Sequence, residues 1–182
     1  MRIVAGAWRG RTLVAPPGAT TRPTADRVRQ ALFDTLLHAP WGGREVVDGA
    51  TVLDAFAGTG ALGLEALSRG AARGVFIEAD KTALAALRQN IAACKAEGAC
   101  RVLAADATRP PPGTACGLVF LDPPYAQTLV PRAVAALSAA GWIAPSALIV
   151  AELGRGEALP DLGTLLDERA HGAARIGIWR AA

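Results

Sequence analysis

From residue 51 onward the chain switches between two periodicities, and this alternation limits its fold more than any other feature. Residues 51–56, 74–77, 101–104, 117–121 and 147–151 are short apolar runs that read as buried strands. Between them, residues 61–69, 81–97 and 129–140 read as helices. Leu84, Leu87, Ile91 and Cys94 fall at helical spacing, and Gly70, Gly98 and Gly141 supply the stops. Such alternation predicts an α/β fold with a mostly parallel sheet covered by helices on both faces. Two further strands are expected near 165–169 and 175–180, for seven in all. Only His171-Gly172 separates those two, too little for a helical crossover, so they should form a closing hairpin. The proline-rich residues 108–115 fit no element.

The first forty residues follow a different pattern. Residues 2–15 alternate loosely around Gly6 and Gly10, which predicts a short hairpin. Pro16-Pro17-Gly18 breaks it, and a helix capped by Thr24 or Asp26 should run to about His38. Its apolar face would carry Val28, Leu32, Phe33, Leu36 and Leu37. Residues 1–40 are therefore expected to form a basic extension, and residues 41–182 one globular unit. Charge follows this division. Residues 1–30 hold six arginines (2, 9, 11, 22, 27 and 29) against one acid, Asp26, whereas the rest of the chain is slightly acidic. Concentrated positive charge predicts an anionic polymer as partner. No apolar run reaches the roughly 18 residues of a membrane span. Three cysteines with no Cys-x-x-Cys pair point to buried thiols, no metal and a reducing cytoplasm.

In open parallel sheets, ligands bind at the carboxyl ends of the strands. Four acids fall there: Asp54, Glu78, Asp106 and Asp122. Buried carboxylates are costly without partners, so such a row suggests a ligand. Gly58-Thr59-Gly60-Ala61-Leu62-Gly63 fits G-x-G-x-x-G, a pattern shared with dinucleotide sites. Asp54, four residues before the loop, would repel a pyrophosphate, and it suits a cationic amino-acid ligand such as S-adenosylmethionine, held directly or through water. Phe56, Gly58 and Gly60 would shape the loop, Glu78 would accept from ribose hydroxyls and Asp106 from the adenine amino group. Thr24 is a further candidate for cofactor contact. After the fourth strand comes Asp122-Pro123-Pro124-Tyr125, a carboxylate, a free carbonyl and a flat ring on a stiff turn. These groups suit a planar amino group on a base: two oxygens to accept its N–H bonds and Tyr125 to stack.

Asp54-Ala-Phe-Ala-Gly58-Thr-Gly60 together with Asp122-Pro-Pro-Tyr125 resembles a class I, Rossmann-like methyltransferase. Three further stretches are similar to the RsmD family: Arg2-Ile-Val-Ala-Gly-Ala-Trp-Arg-Gly-Arg-Thr-Leu13, Arg22-Pro-Thr-Ala-Asp-Arg-Val-Arg-Gln-Ala-Leu-Phe33 and Gly60-Ala-Leu-Gly-Leu-Glu-Ala-Leu-Ser-Arg69. The resemblance runs from residue 2 to about 153. It implies methylation of the exocyclic N2 of a guanine in 16S ribosomal RNA, within the 30S subunit or an assembly intermediate. It also places the basic hairpin beside the pocket, with Arg9, Arg11 and Arg22 as phosphate contacts. Arg27 and Arg29 would either join them or pair with acids such as Asp26, and Trp8 reads as core rather than base-stacking.

Other readings stay open at this point. DNA adenine-N6 methylation shares the Asp-Pro-Pro-Tyr element but usually needs a recognition region for which this chain has no room. Protein glutamine methylation typically has Asn in place of Asp122. A nicotinamide oxidoreductase fits the glycine pattern, the strand before it, the helix after it and Glu78 further on, and a non-catalytic RNA-binding subunit should have lost Asp54, the glycines or Asp122.

Overall fold

In the computed structural model, residues 1–16, 23–124, 129–154, 156–171 and 174–182 are described, with backbone only for Pro23, Thr24 and His171. One sheet of seven strands organises the chain. They are β1 (Thr51–Ala55), β2 (Arg73–Glu78), β3 (Cys100–Ala104), β4 (Cys116–Leu121), β5 (Ile143–Gly154), β6 (Thr164–His171) and β7 (Ala174–Arg180). Their spatial order is β3-β2-β1-β4-β5-β7-β6. The first five pair in parallel, and β7 runs antiparallel to both β5 and β6. The expected closing hairpin is present, but its second strand, not its first, adds to the sheet.

Among the described residues four α-helices cover the sheet: α1 (Pro23–His38), α2 (Ala61–Ser68), α3 (Lys81–Ala93) and α4 (Leu129–Ala139). Alternate residues of each central strand point to opposite faces, which splits the core in two. Val52, Phe76, Leu118 and Phe120 pack with Phe33 and Leu36 of α1, Leu64 of α2 and Leu87 of α3. Leu53, Ile77, Val119 and Ile149 pack on the other face with Val130, Ala133 and Leu137 of α4 and with Trp142 and Trp179.

Several boundaries differ from expectation for local reasons. α1 begins at Pro23, whose fixed φ suits a first helical position. Asp26 then lies inside the first turn and bonds to Arg29 rather than capping the helix. α3 ends at Ala93 because Lys95 takes a left-handed φ of 54°. β5 starts four residues early: the strand runs through Pro145 and Ser146 even though Ser146 takes a left-handed φ of 60°, and the register with β4 shifts between Cys116 and Leu118. The proline-rich stretch before β4 takes the place of a crossover helix. There the Trp142 indole donates to the Pro111 carbonyl at 2.7 Å, and a Cβ on Gly113 would lie 2.0 Å from the same ring.

The expected N-terminal hairpin is present but short: Arg2 bridges Thr12 in antiparallel fashion, and the Ile3, Gly10 and Leu13 amides donate to the Arg11, Ile3 and Met1 carbonyls at 2.9, 2.8 and 3.0 Å. Polar groups on α2 hold this arm down. Glu65, fully buried, accepts from the Val4 and Ala5 amides at 2.8 and 3.0 Å and from the guanidinium groups of Arg29 and Arg69. Ser68 donates to the Ala5 carbonyl at 2.6 Å and accepts from the Trp8 amide at 3.0 Å. Gly6, at φ 80°, sits so close that a Cβ would meet the Ser68 carbonyl oxygen at 1.8 Å. Ile3 and Leu13 join the core on the α1–α3 face. Each large apolar side chain buried there contributes about 1.5–3 kcal/mol. Buried ion pairs, by contrast, roughly cancel their own desolvation. The apolar contacts therefore drive docking of the arm, and the Glu65 cluster fixes where it docks.

Candidate active site

The strand order reverses between β1 and β4, the point at which parallel sheets open a crevice beyond their carboxyl ends. From β1 the chain turns through the glycine loop into α2. Phe56, Gly58 and Gly60 all take positive φ, at 64°, 54° and 78°. The glycines do different jobs. A Cβ on Gly60 would press on Leu87 at 2.4 Å, and one on Gly63 on the Phe76 ring at 2.4 Å, so both allow α2 to close onto its neighbours. Around the Cβ position of Gly58 there is open space within 4 Å. Its backbone is therefore accessible on the crevice side, where a ligand can approach.

Asp54 is buried and accepts from the Gly63 amide at 2.9 Å. Sequence reasoning had it help hold the ligand, directly or through water; in the structure its Oδ2 also ties the first turn of α2 to the end of β1. Burial raises its pKa to about 8, the Gly63 bond opposes that, and the charges of Asp122 and Glu78 add to it. Glu78 spans the loop, with Oε2 accepting from the Gly58 amide at 2.7 Å and Oε1 from the Asp80 amide at 2.8 Å. Asp106 is exposed, and its Oδ1 accepts from the amide and hydroxyl of Thr108, both at 2.8 Å, which hold its pKa down.

Asp122 follows β4 directly, with Pro123 and Pro124 after it. The residue is exposed at the strand tip, yet its carboxyl group is crowded by protein and lies near Glu152. Loss of solvent first, and the Glu152 charge second, push its pKa up to about 7. The last β4–β5 pair is Leu121 with Ala151, so Asp122 and Glu152 are the next residues along two adjacent strands. Glu152 was not foreseen. Its only signal is one more acid at the end of an apolar run, and register across the sheet is needed to bring it beside Asp122.

One edge thus gathers Asp54, Phe56, Gly58, Gly60, Glu78, Asp106, Asp122 and Glu152. A crevice with this many carboxylates disfavours a pyrophosphate and fits a cationic ligand. Tyr125, expected to stack on the base, and Arg22 lie outside the described residues, as does the side chain of Thr24. Arg9 and Arg27 are exposed. Arg11 is exposed too, and its guanidinium donates to the Ala93 carbonyl at the end of α3. Arg29 is buried against Asp26 and Glu65, which removes it from the phosphate candidates. Trp8 packs against the core. Burial pushes the Cys116 thiol up to about 11 and, with nearby charges, the Cys100 thiol to about 12. Among the described residues no His, Cys, Asp and Glu side chains cluster to hold a metal, and no helix is long and apolar enough to cross a membrane.

Comparison with known proteins gives one consistent result. The family model described as "Conserved hypothetical protein 95" matches residues 1–180. Ribosomal RNA small subunit methyltransferase D of Escherichia coli (strain K12) is 44% identical over 154 residues, 84% of this chain and 74% of that protein. The protein of the same name from Haemophilus influenzae is 37% identical over 187 residues, 99% of this chain and 93% of that one. The solved structure of yhhF from Escherichia coli superposes with a TM-score of 0.85 at 38% identity, covering 100% of this chain and 97% of the other. On the family match and these identities, the chain belongs to the family of ribosomal RNA small subunit methyltransferase D.

Proposed function

We propose that the protein methylates the exocyclic N2 of a guanine in 16S ribosomal RNA, with S-adenosylmethionine as donor, in the cytoplasm and on the 30S subunit or its assembly intermediate. The observation that carries this reading is the position of Asp122-Pro123-Pro124 at the carboxyl end of β4, one strand from the glycine loop of β1. Relatives at 44% and 37% identity carry the name of a small-subunit ribosomal RNA methyltransferase, which supports the substrate class.

The open face of Gly58, the carboxylates along the crevice and the lack of a basic group in the loop suit S-adenosylmethionine. Gly58, Gly60, Phe56, Glu78 and Asp106 would hold it, with Thr24 from the α1 side and Asp54 acting through the loop. When bound, it supplies an electrophilic methyl group. Asp122 and the Pro123 carbonyl accept the two hydrogens of the guanine amino group. The N2 lone pair is delocalised into the ring, and two such bonds favour a more pyramidal, more nucleophilic nitrogen. They also fix its direction, and positioning of this kind accounts for much of a barrier reduction. The Asp122 charge stabilises positive charge growing on nitrogen, and the carboxylate takes the released proton or passes it to water. Tyr125 stacks on the base. Inside a helix the base is out of reach, so it must be unpaired or flipped at a cost of about a few kcal/mol.

Residues 1–40 serve as the RNA-contacting extension and residues 41–182 as the methyl-transfer unit. Arg9, Arg27 and Arg22 contact phosphates, which position the RNA without reading its sequence. Arg11 shares this role from its place at the end of α3. The test uses 30S subunits from a strain lacking the gene. After incubation with protein and donor, digested 16S RNA should contain new N2-methylguanosine, and Asp122→Ala should give almost none. Absence of the product with the intact protein would overturn the reading.

A further inference from the structure

Asn90, on α3, is fully buried. Its Nδ2 donates to the Val14 carbonyl and to the Thr59 carbonyl, both at 2.9 Å, and its Oδ1 accepts from the Val14 amide at 2.7 Å. A primary amide has two donor hydrogens, and both are committed here. Val14 belongs to the basic arm. Thr59 sits between Gly58 and Gly60, at the tip of the loop that faces the crevice. One buried side chain therefore pins the end of the arm to the loop. Two other contacts run the same way. The Thr59 hydroxyl donates to the Met1 sulfur at 3.7 Å. Glu65 and Ser68 hold residues 4–8 on α2, the helix that begins where the loop ends.

The arm thus grips the loop and its helix from both sides. Displacing it would strip Asn90 of two of its three bonds and leave a buried amide unsatisfied, which the fold resists. Conversely, a loop that shifts away from Asn90 removes the third bond and loosens the hold on Val14. We propose that Asn90 is a positioning residue through which the arm and the donor-binding loop order each other, so that methyl donor and RNA bind with positive cooperativity. The inference rests on the function proposed above. Linkage requires the coupling to be reciprocal: RNA must tighten donor binding by the same factor as donor tightens RNA binding.

The experiment measures that factor in the full chain. S-adenosylhomocysteine, which cannot react, is titrated with and without undermethylated 30S subunits, and 30S binding is measured with and without saturating S-adenosylhomocysteine. Typical couplings run from about 5-fold to about 150-fold, and roughly 10-fold is expected here in both directions. Asn90→Leu should bring the factor to within about 2-fold of unity, the size of effect expected when a coupling of this class is removed. Asn90→Asp keeps the acceptor for Val14 but removes both donors, and should also lower it. A merely structural role would weaken each ligand alone and leave the factor unchanged. Should Asn90→Leu fail to unfold cooperatively, hydrogen exchange at the Val14 amide of the native protein decides. Saturating S-adenosylhomocysteine should slow it. Unchanged exchange, or a folded variant that keeps the full factor, overturns this inference and leaves methylation standing. Failure of the native protein to bind S-adenosylhomocysteine at all overturns both.

Discussion

Asp122 has an acidic neighbour, and this shapes its chemistry. As an acceptor for amino hydrogens it must be ionised. Loss of solvent and the adjacent Glu152 push its pKa up to about 7. A base with a raised pKa is inactive below it, so kcat/KM should rise with pH and level off above about 7. Glu152→Gln removes the charge and keeps the shape. The acid limb should then move to lower pH, by roughly half a unit to one unit for a partly solvated neighbouring charge. A limb that stays in place in a pH–rate profile would show that Glu152 does not act on Asp122. The Asp-Pro-Pro-Tyr run made Asp122 visible in sequence because few other contexts place an acid before two prolines. Glu152 had no such flag, and the bond from the Gly63 amide to Asp54 was not legible either, because the partner of a strand-end carboxylate depends on packing.

At the scale of elements, α2 is the part most exposed to small changes. It is eight residues long, too short to be stable alone, and its position depends on Gly63 lying against Phe76. Gly63→Ala should cost about 1–3 kcal/mol in urea unfolding, since neither the ring nor the helix has room to yield. It should also weaken donor binding, because Asp54 bonds to the same amide. An unchanged urea midpoint would contradict this packing. Most elements were legible because apolar runs, glycine stops and period changes coincide. The failures have local causes. The apolar pattern of β5 begins only at Ala147 because Pro145 and Ser146 break it, while the strand itself starts at Ile143 and absorbs the irregularity as a shift of register with β4. The hairpin expected over residues 2–15 does form, with the Ile3 and Leu13 amides donating to the Arg11 and Met1 carbonyls across it. What alternation could not show is that the Val4, Trp8 and Val14 amides bond to Glu65, Ser68 and Asn90, residues 50 or more positions away.

For the whole molecule, the charge asymmetry becomes a surface property. Arg9 and Arg27 are exposed, whereas Arg29 is used up inside the fold. The double change Arg9→Ala, Arg27→Ala should therefore weaken binding to 30S subunits or a 16S RNA fragment. It should also reduce the slope of log K against log salt by about 0.7–0.9 for each phosphate that is no longer neutralised. Thermal stability should hardly move, since neither side chain is buried. A full salt slope in the double variant would remove the arm from RNA binding. Sequence located this charge along the chain, but only the fold separates arginines that face outward from one that holds the arm in place.

The order of strands has a further consequence for synthesis. β7 lies between β5 and β6, so the sheet does not grow outward in the order in which the chain leaves the ribosome. β1 to β4 can pair as they emerge. β5, with Leu148, Ile149 and Val150, waits with an open edge until β6 and the turn after it have been made. Until β7 fills that gap, a nascent chain presents an apolar strand to any passing partner, the usual route to aggregation. The enzyme is therefore most vulnerable not while its active-site strand is forming but in the interval just before its final strand arrives.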